Sequence, residues 1–261
     1  MVKRQNSGRC LKIGTKIFIA SLHNYFNCLE CKPKRLLESF YYIKKESFMD
    51  YVKNNFSSED FLLDSGAFTF IKQKSKKINF EQYIEQYIEF INKYDIKYFF
   101  ELDVDVIFGH EKVKEIRKYI EQKTNKKTIP VWHKSRGIEE YIKLSKEYDY
   151  IAIGGIVTKE IAKKDYKILN PLIDIAHKNN CRVHGLGFTP MDITKYNFDT
   201  SDSTSWKMAG RAGSILKFDG KRIIKIKRPE EYSNKKIKHK VALDFSLQEW
   251  NKFIDYVEKR R

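Results

Sequence analysis

The chain has 261 residues, a formal net charge of +17, 41% hydrophobic residues and 14% aromatic residues. This composition excludes an intrinsically disordered chain, and no apolar run approaches the roughly 18 residues of a membrane span. The amino-terminal MVKRQNSGRC lacks the apolar core of a secretion signal, so we expect one cytoplasmic domain over residues 1–261.

Short apolar runs alternate with amphipathic segments along most of the chain. Eight runs are strand candidates; the second of them also allows a helix. In chain order they are Lys16–Leu22, Arg35–Ile43, Phe61–Asp64, Lys97–Asp103, Thr128–His133, Tyr150–Gly155, Cys181–Gly187 and Asn197–Asp202. Helical spacing is predicted for Phe80–Lys93, His110–Gln122, Ile138–Glu147 and Tyr166–Lys178.

This order predicts an α/β fold, a (β/α)8 TIM barrel with its core over about 16–210. A doubly wound open sheet is the alternative, but no GxGxxG follows the first strand. Residues 211–261 form a basic extension with a predicted hairpin over Ser214–Lys227 and a closing helix over Leu247–Lys259.

The excess of positive charge predicts a polyanionic partner, with nucleic acid first. A lysine-rich composition that reflects coding bias is the alternative. Within Lys221–Lys240, nine Lys or Arg residues stand against two Glu. This basic stretch is either a solvated surface loop or an edge that contacts phosphates.

Polar residues and glycines fall at the carboxyl ends of the predicted strands, the face where barrels of this kind carry out chemistry. They are Asp64, Asp103 with Asp105 just beyond, His133, Gly154-Gly155, His184-Gly185 with Gly187, and Asp202. Each residue alone has an ordinary explanation as a cap, a turn or a core histidine. Their common position favours a site.

Asp64 and Asp202 stand out as a pair. Two carboxylates that flank a sugar can divide the work of a retaining glycosidase: one attacks the anomeric carbon and the other moves protons. Asp103 can accept hydrogen bonds from ring N–H groups, and Phe68 and His184 can sandwich a heterocycle. A lone CxxC at Cys28 and Cys31 gives poor support for a zinc site, and we expect no metal.

Five motifs in this order resemble the tRNA-guanine transglycosylase superfamily, most closely its phage branch of DNA-guanine transglycosylases, DpdA. They are LLDSGAF (62–68), ELD (101–103), IAIGG (151–155), HGLG (184–187) and DSTSW (202–206). The resemblance implies a TIM barrel and a base exchange without cofactor, in which guanine is replaced by a 7-deazaguanine such as preQ0.

The resemblance also implies roles for individual residues. Asp202 is similar to the nucleophile that attacks C1′, and Asp64 to the acid/base for the ring proton. The implied base-binding positions are Ser65, Phe68, Asp103, His133, Gly154, Gly155, His184 and Gly185. Asp199, in FDTSD, also resembles a nucleophile motif of the tRNA enzymes and remains an alternative to Asp202.

The departures from the tRNA enzymes favour DNA as the substrate. No cysteine follows Cys181, so the zinc site of the tRNA enzymes lacks its cysteine ligands here. His133 replaces a base-reading glutamine, a departure that bears on which base is used rather than on DNA against tRNA. A tRNA-guanine transglycosylase remains the first alternative. The others are a non-catalytic nucleic-acid-binding barrel and an enzyme that removes a base or cuts nucleic acid without replacing a base.

Overall fold

A computed structural model describes residues 14–43, 45–67, 69, 79–208, 214–227 and 239–260. The fold is α/β, with one curled parallel sheet, a separate hairpin and surrounding helices. The parallel strands are β1 (Lys16–Ala20), β2 (Leu36–Ser39), β3 (Phe61–Asp64), β4 (Val131–Trp132), β5 (Tyr150–Ile153), β6 (Arg182–Gly185) and β7 (Thr200–Ser203). The hairpin strands are β8 (Ser214–Phe218) and β9 (Ile223–Lys227).

Seven α-helices lie in the described ranges. They are α1 (Glu46–Asn55), α2 (Phe80–Lys93), α3 (Asp105–Phe108), α4 (His110–Thr124), α5 (Gly137–Glu147), α6 (Leu169–Lys178) and α7 (His239–Glu258). None of them is both long and apolar enough to span a membrane.

The parallel sheet has the order β3-β2-β1-β7-β6-β5-β4, so β3 and β4 are its edges. Between these edges lie Phe99, which bridges to Leu63, and Phe100, which bridges to Ile129. The predicted strand Lys97–Asp103 is thus reduced to two isolated bridges. One reason is that the Glu101 carboxylate, rather than a backbone carbonyl, accepts the Val131 N–H at 2.8 Å. Within the described residues there are seven parallel strands where the sequence predicts eight, an arrangement compatible with a TIM-like barrel.

Alternate residues of the apolar strands β1 to β5 enter different cores, as the pleat requires. In β1, Ile17 and Ile19 pack into the large cluster with the helices, whereas Phe18 and Ala20 belong to a cluster inside the curl of the sheet. Both faces are therefore apolar, which explains why these strands are continuous hydrophobic runs rather than alternating ones.

Most of the predicted elements are confirmed with small shifts. Helix α2 has the predicted bounds; its N-cap Asn79 accepts the Gln82 N–H at 3.1 Å. The predicted helix Tyr166–Lys178 begins as a 3₁₀ segment over Lys163–Ile168. Helices α1 and α3 have no counterpart among the predicted elements. The hairpin is confirmed, but 228–238 of the basic stretch lies outside the described residues.

The closing helix α7 starts earlier than predicted and anchors one side of the sheet. Ser246 Oγ donates to the Trp206 carbonyl at 2.7 Å, and Trp206 Nε1 donates to the Ala20 carbonyl at 2.9 Å. Trp206 is completely buried. These bonds tie the carboxyl end of β1 to the segment after β7, and so hold one wall of the cavity described next.

Candidate active site

A cavity of about 430 Å³ opens at the carboxyl ends of the parallel strands, a size within the range of small-molecule sites. Seven of the residues predicted for the site line it: Asp64, Ser65, Asp103, His133, Gly154, Gly155 and Asp202. His184 and Gly185 are not among its lining residues. Phe68 lies outside the described residues. The structure therefore brings seven of the ten predicted site residues together on one cavity.

Asp64 ends β3 on a tight turn. Gly66 has φ +79°, and a Cβ there would lie 2.7 Å from Tyr41 Cβ and 2.6 Å from the Tyr83 hydroxyl oxygen. The turn directs the Gly66 N–H to Asp64 Oδ2 at 3.1 Å. Tyr83 fixes the same turn because its hydroxyl donates to the Ser65 carbonyl at 2.6 Å.

The environment of Asp64 favours its protonated form. Burial raises the pKa of Asp64 to about 6, and the charges of Asp202 and Asp103 add to the rise. The Ser39 hydroxyl and the Gly66 N–H oppose it. A carboxyl group with a pKa near neutrality can both donate and accept a proton during a reaction.

Asp202, in β7, is held by two contacts on one oxygen. The Gly187 N–H donates to Asp202 Oδ1 at 2.7 Å, and His184 Nε2 lies 3.2 Å from the same atom. The residue is 8% exposed, so its carboxyl group reaches the cavity from a packed position. No hydrogen bond from the part of the chain that the structure describes reaches the other oxygen, Oδ2, which is the arrangement expected of an oriented carboxylate that meets a ligand.

His184 lies beneath the cavity rather than on its wall, and its side chain is fully buried. Its Nδ1 is 2.7 Å from Thr200 Oγ1. When the Thr200 hydroxyl donates to Nδ1, Nε2–H is free to donate to Asp202. Edge-on contacts with Phe18 and Phe100 fill the space around the ring. The structure thus gives His184 a supporting position in place of the expected stacking position.

Asp199, the alternative nucleophile, sits just before β7 and away from the cavity. It accepts the Val183 N–H at 2.8 Å and faces His177 Nε2 at 2.8 Å. It is not among the lining residues of the cavity, whereas Asp202 is. Of the two candidates, only Asp202 is positioned to meet a ligand there.

The opposite wall is a network of charged side chains. Asp103 Oδ2 lies 2.6 Å from His133 Nε2, and Asp103 Oδ1 accepts from Arg136 Nη2 at 2.7 Å. Arg136 also donates to Asp105 Oδ2 from Nε at 3.1 Å and from Nη2 at 2.8 Å. His133 Nδ1 lies 3.1 Å from Glu160 Oε2. Asp103 and Asp105 each face the Arg136 guanidinium, and Glu160 faces the His133 ring.

The network shifts the proton affinities of its members. Burial alone lowers the pKa of His133, but the hydrogen bond and charge of Asp103 outweigh burial and raise it. Burial alone raises the pKa of Asp105 and of Glu160. The charge and hydrogen bonds of Arg136 outweigh burial at Asp105 and lower its pKa. The Ser135 N–H and the His133 ring do the same at Glu160, so its pKa is also lowered. The contacts within this wall therefore favour the charged forms of Asp105, His133 and Glu160.

Gly154 and Gly155 leave room for this network. A Cβ on Gly154 would lie 2.8 Å from His133 Cε1, and one on Gly155, which has φ +76°, would lie 2.8 Å from Glu160 Oε2. The sequence predicted that these glycines let the backbone approach a base closely. Both glycines line the cavity, but the side chains of His133 and Glu160 occupy the space next to them.

Asp103, Asp105 and His133 bring ligand atoms within 4.8 Å of one another, the spacing of a possible cation site. Arg136 already supplies positive charge to both carboxylates at this point. A metal ion would face the guanidinium at short range, so we assign no metal to this cluster.

Several residues around the site escaped sequence reasoning. Arg136 ends a short 3₁₀ helix after β4, and Glu160 follows β5 in a loop. Neither belongs to a motif, and their role depends on contacts with a distant aspartate and histidine. Tyr42 lines the cavity, is 47% exposed and stacks on His23 with ring centroids 4.9 Å apart. The buried Glu38 orients that histidine by contacting its Nδ1 at 2.8 Å.

Neither the comparison with protein-family models nor the search of curated proteins finds a match to this chain. Its function is therefore inferred from the geometry of the cavity and from the motifs themselves.

Proposed function

We propose that this protein is a DNA-guanine transglycosylase, which exchanges guanine in DNA for a 7-deazaguanine base through a covalent aspartyl-glycosyl intermediate. The observation that carries the proposal is the meeting of Asp64 and Asp202 on one cavity in different environments. Both residues line the same cavity, and the charge of Asp202 adds to the raised pKa of Asp64. The resemblance of the five motifs to the transglycosylase superfamily indicates base exchange as the type of reaction.

The proposal includes a complete (β/α)8 barrel. In it, the segment around Phe99 and Phe100 is the eighth member of the barrel, between β3 and β4. Backbone bonds on both sides support this: the Phe100 N–H donates to the Leu63 carbonyl at 2.9 Å, and the Ile129 N–H donates to the Phe99 carbonyl at 2.8 Å. The cavity then lies at the face where barrels carry their active sites.

Asp202 is the nucleophile in this mechanism. Its free carboxylate oxygen attacks C1′ of the deoxyribose, the C1′–N9 bond breaks, and the electron pair leaves with guanine. The Gly187 N–H and His184 hold the other oxygen and so orient the attack. Attack from the opposite face in the second step restores the original configuration, as in retaining glycosidases.

Asp64 is the acid and base. In its protonated form it gives a proton to the departing guanine, and the resulting carboxylate then takes the N9 proton of the incoming 7-deazaguanine. The electron pair on that nitrogen attacks C1′, and Asp202 leaves as a carboxylate. A pKa of about 6 suits both transfers near neutral pH.

Asp103 is placed to receive the Watson–Crick edge of the base. Guanine and 7-deazaguanines both present adjacent N–H donors there, and a carboxylate accepts such donors. The target guanine must leave the duplex stack, which costs a few kcal/mol. The net charge of +17 would hold the phosphate backbone meanwhile, so binding should weaken steeply with salt.

The test is mass spectrometry of nucleosides from duplex DNA, and in parallel from tRNA, after incubation with the protein and candidate bases including preQ0. We expect the modified nucleoside to appear in DNA. Asp202→Asn should abolish exchange and covalent trapping while DNA binding survives. Asp199→Asn is the matched control and should retain exchange.

Other outcomes would contradict the proposal. Incorporation into tRNA alone would identify an RNA enzyme, and loss of guanine without replacement would identify a glycosylase. DNA binding with no change in any nucleoside would favour the non-catalytic alternative. Exchange by Asp202→Asn that equals wild type would refute the assigned nucleophile.

A further inference from the structure

His133 lies between two carboxylates. Its Nε2 is 2.6 Å from Asp103 Oδ2 and its Nδ1 is 3.1 Å from Glu160 Oε2. A neutral imidazole carries only one N–H. Either neutral tautomer would therefore leave a nitrogen lone pair facing a carboxylate oxygen. The imidazolium is the form that donates to both.

Asp103 in turn lies between two cations. His133 contacts its Oδ2, and Arg136 Nη2 donates to its Oδ1 at 2.7 Å. Arg136 is itself fixed by two bonds to Asp105. With both oxygens held in this way, the Asp103 carboxylate presents its remaining lone pairs in a set direction. Such a group can accept hydrogen bonds but cannot donate them.

The backbone is shaped around this arrangement. Gly154 and Gly155 provide the space in which His133 and Glu160 sit, since a Cβ at either position would come within 2.8 Å of them. Glu160 is further fixed by the Ser135 N–H, which donates to its Oε1 at 2.6 Å. Both His133 nitrogens are committed to carboxylates, so His133 has no N–H left to read a base directly.

We propose that Glu160 and Arg136 are positioning residues that determine which base the cavity accepts. They hold His133 as a cation and Asp103 as a fixed acceptor, so that this wall selects bases with adjacent N–H donors. Guanine and 7-deazaguanines have N1–H beside an exocyclic amine, hypoxanthine has N1–H alone, and adenine presents a lone pair at N1. This inference rests on the proposed function and extends it to base specificity.

The test measures equilibrium binding of free guanine, hypoxanthine and adenine by calorimetry at several pH values. The variant is Glu160→Gln, which removes the charge but keeps the shape. Glu147→Gln, on the exposed end of α5, is the matched control. The charged groups around His133 in the wild type are Asp103, Asp105, Arg136 and Glu160. Glu160→Gln therefore changes the charge next to His133, whereas the control Glu147→Gln does not. NMR of the His133 ring follows its protonation directly.

We expect Glu160→Gln to bind guanine about tenfold more weakly near neutral pH, in the range of couplings within one hydrogen-bonded network. Its preference for guanine over adenine should fall by a similar factor. The His133 titration should move to lower pH. Because acid protonates His133 even without Glu160, the affinity ratio of wild type to variant should approach one as the pH falls. Glu147→Gln should match the wild type throughout.

The results separate this inference from the proposed function. Two results would overturn the positioning role and leave guanine binding by the wild type intact. One is a ratio of wild-type to variant guanine affinity that stays the same at every pH, and the other is a Glu160→Gln variant with the guanine affinity of the wild type. A wild type that binds none of the bases would overturn the proposed function, and this inference with it. A Glu160→Asp variant that recovers guanine affinity would support the charge as the cause.

Discussion

Asp64 gives a prediction that does not depend on the proposed reaction. Its pKa rises from an ordinary 3.8 to about 6 in the folded protein. Each pKa unit is worth about 1.36 kcal/mol, so the charged form costs the folded state up to about 3 kcal/mol. The residue is partly accessible from the cavity, which makes this an upper figure. Asp64→Asn removes the charge and keeps the shape.

The sign follows from proton binding. Between the two pKa values the folded chain holds a proton on Asp64 that the unfolded chain has released, so stability falls as pH rises through this window. Below the unfolded value the penalty is absent, and above about pH 6 it is complete. The stability gain of Asp64→Asn should therefore be small near pH 4 and grow to at most about 3 kcal/mol near pH 8.

Urea unfolding of wild type and variant across this pH range measures the gain as a difference. Asp50→Asn, on an exposed position of α1, reports the general effect of losing one acidic charge from a basic protein. A gain for Asp64→Asn that does not change with pH would refute the reasoning. So would a variant less stable than wild type near pH 8.

Three further predictions follow from the site. If Asp64 is the acid, single-turnover release of guanine should slow tenfold per pH unit above about pH 6, and a rate that rises with pH there would contradict it. Gly154→Ala should destabilise the fold by about 1–3 kcal/mol in thermal unfolding, because its Cβ would displace the His133 ring, and an unchanged Tm would show that the ring can move freely. Arg136→Lys keeps the charge but loses the paired bonds to Asp105, so we expect guanine affinity to fall about tenfold in calorimetry, whereas an unchanged affinity would show that charge alone is sufficient.

Asp64 and Asp202 could be proposed as a pair from the sequence because both lie at or near the carboxyl ends of strands. Parallel strands bring their carboxyl ends to one edge, so a polar residue there can be located from the sequence pattern alone. The same reasoning identified Asp103 and His133 as wall residues. It left Asp199 open beside Asp202, three residues away, because that choice depends on which end of β7 each side chain occupies.

His184 shows the limit of this reasoning. Its position at a strand end suggested contact with a base, but residues of a strand alternate between faces, and its ring enters the interior of the curled sheet. Gly154 and Gly155 were also expected to provide space for a ligand. Their neighbours in the structure are side chains from other elements, which no local pattern records.

The order of the seven parallel strands and of helices α2, α4, α5 and α6, the cavity face and the position of the two central carboxyl groups on it could be predicted from the sequence, because periodicity and strand-end chemistry are local properties. The tertiary structure decided the rest. It reduced Lys97–Asp103 to two bridges, supported Asp202 from His184, and joined Arg136 and Glu160 to Asp103 and His133. These features arise from contacts between residues far apart in the chain, and their energies depend on burial and charge that only the folded molecule creates.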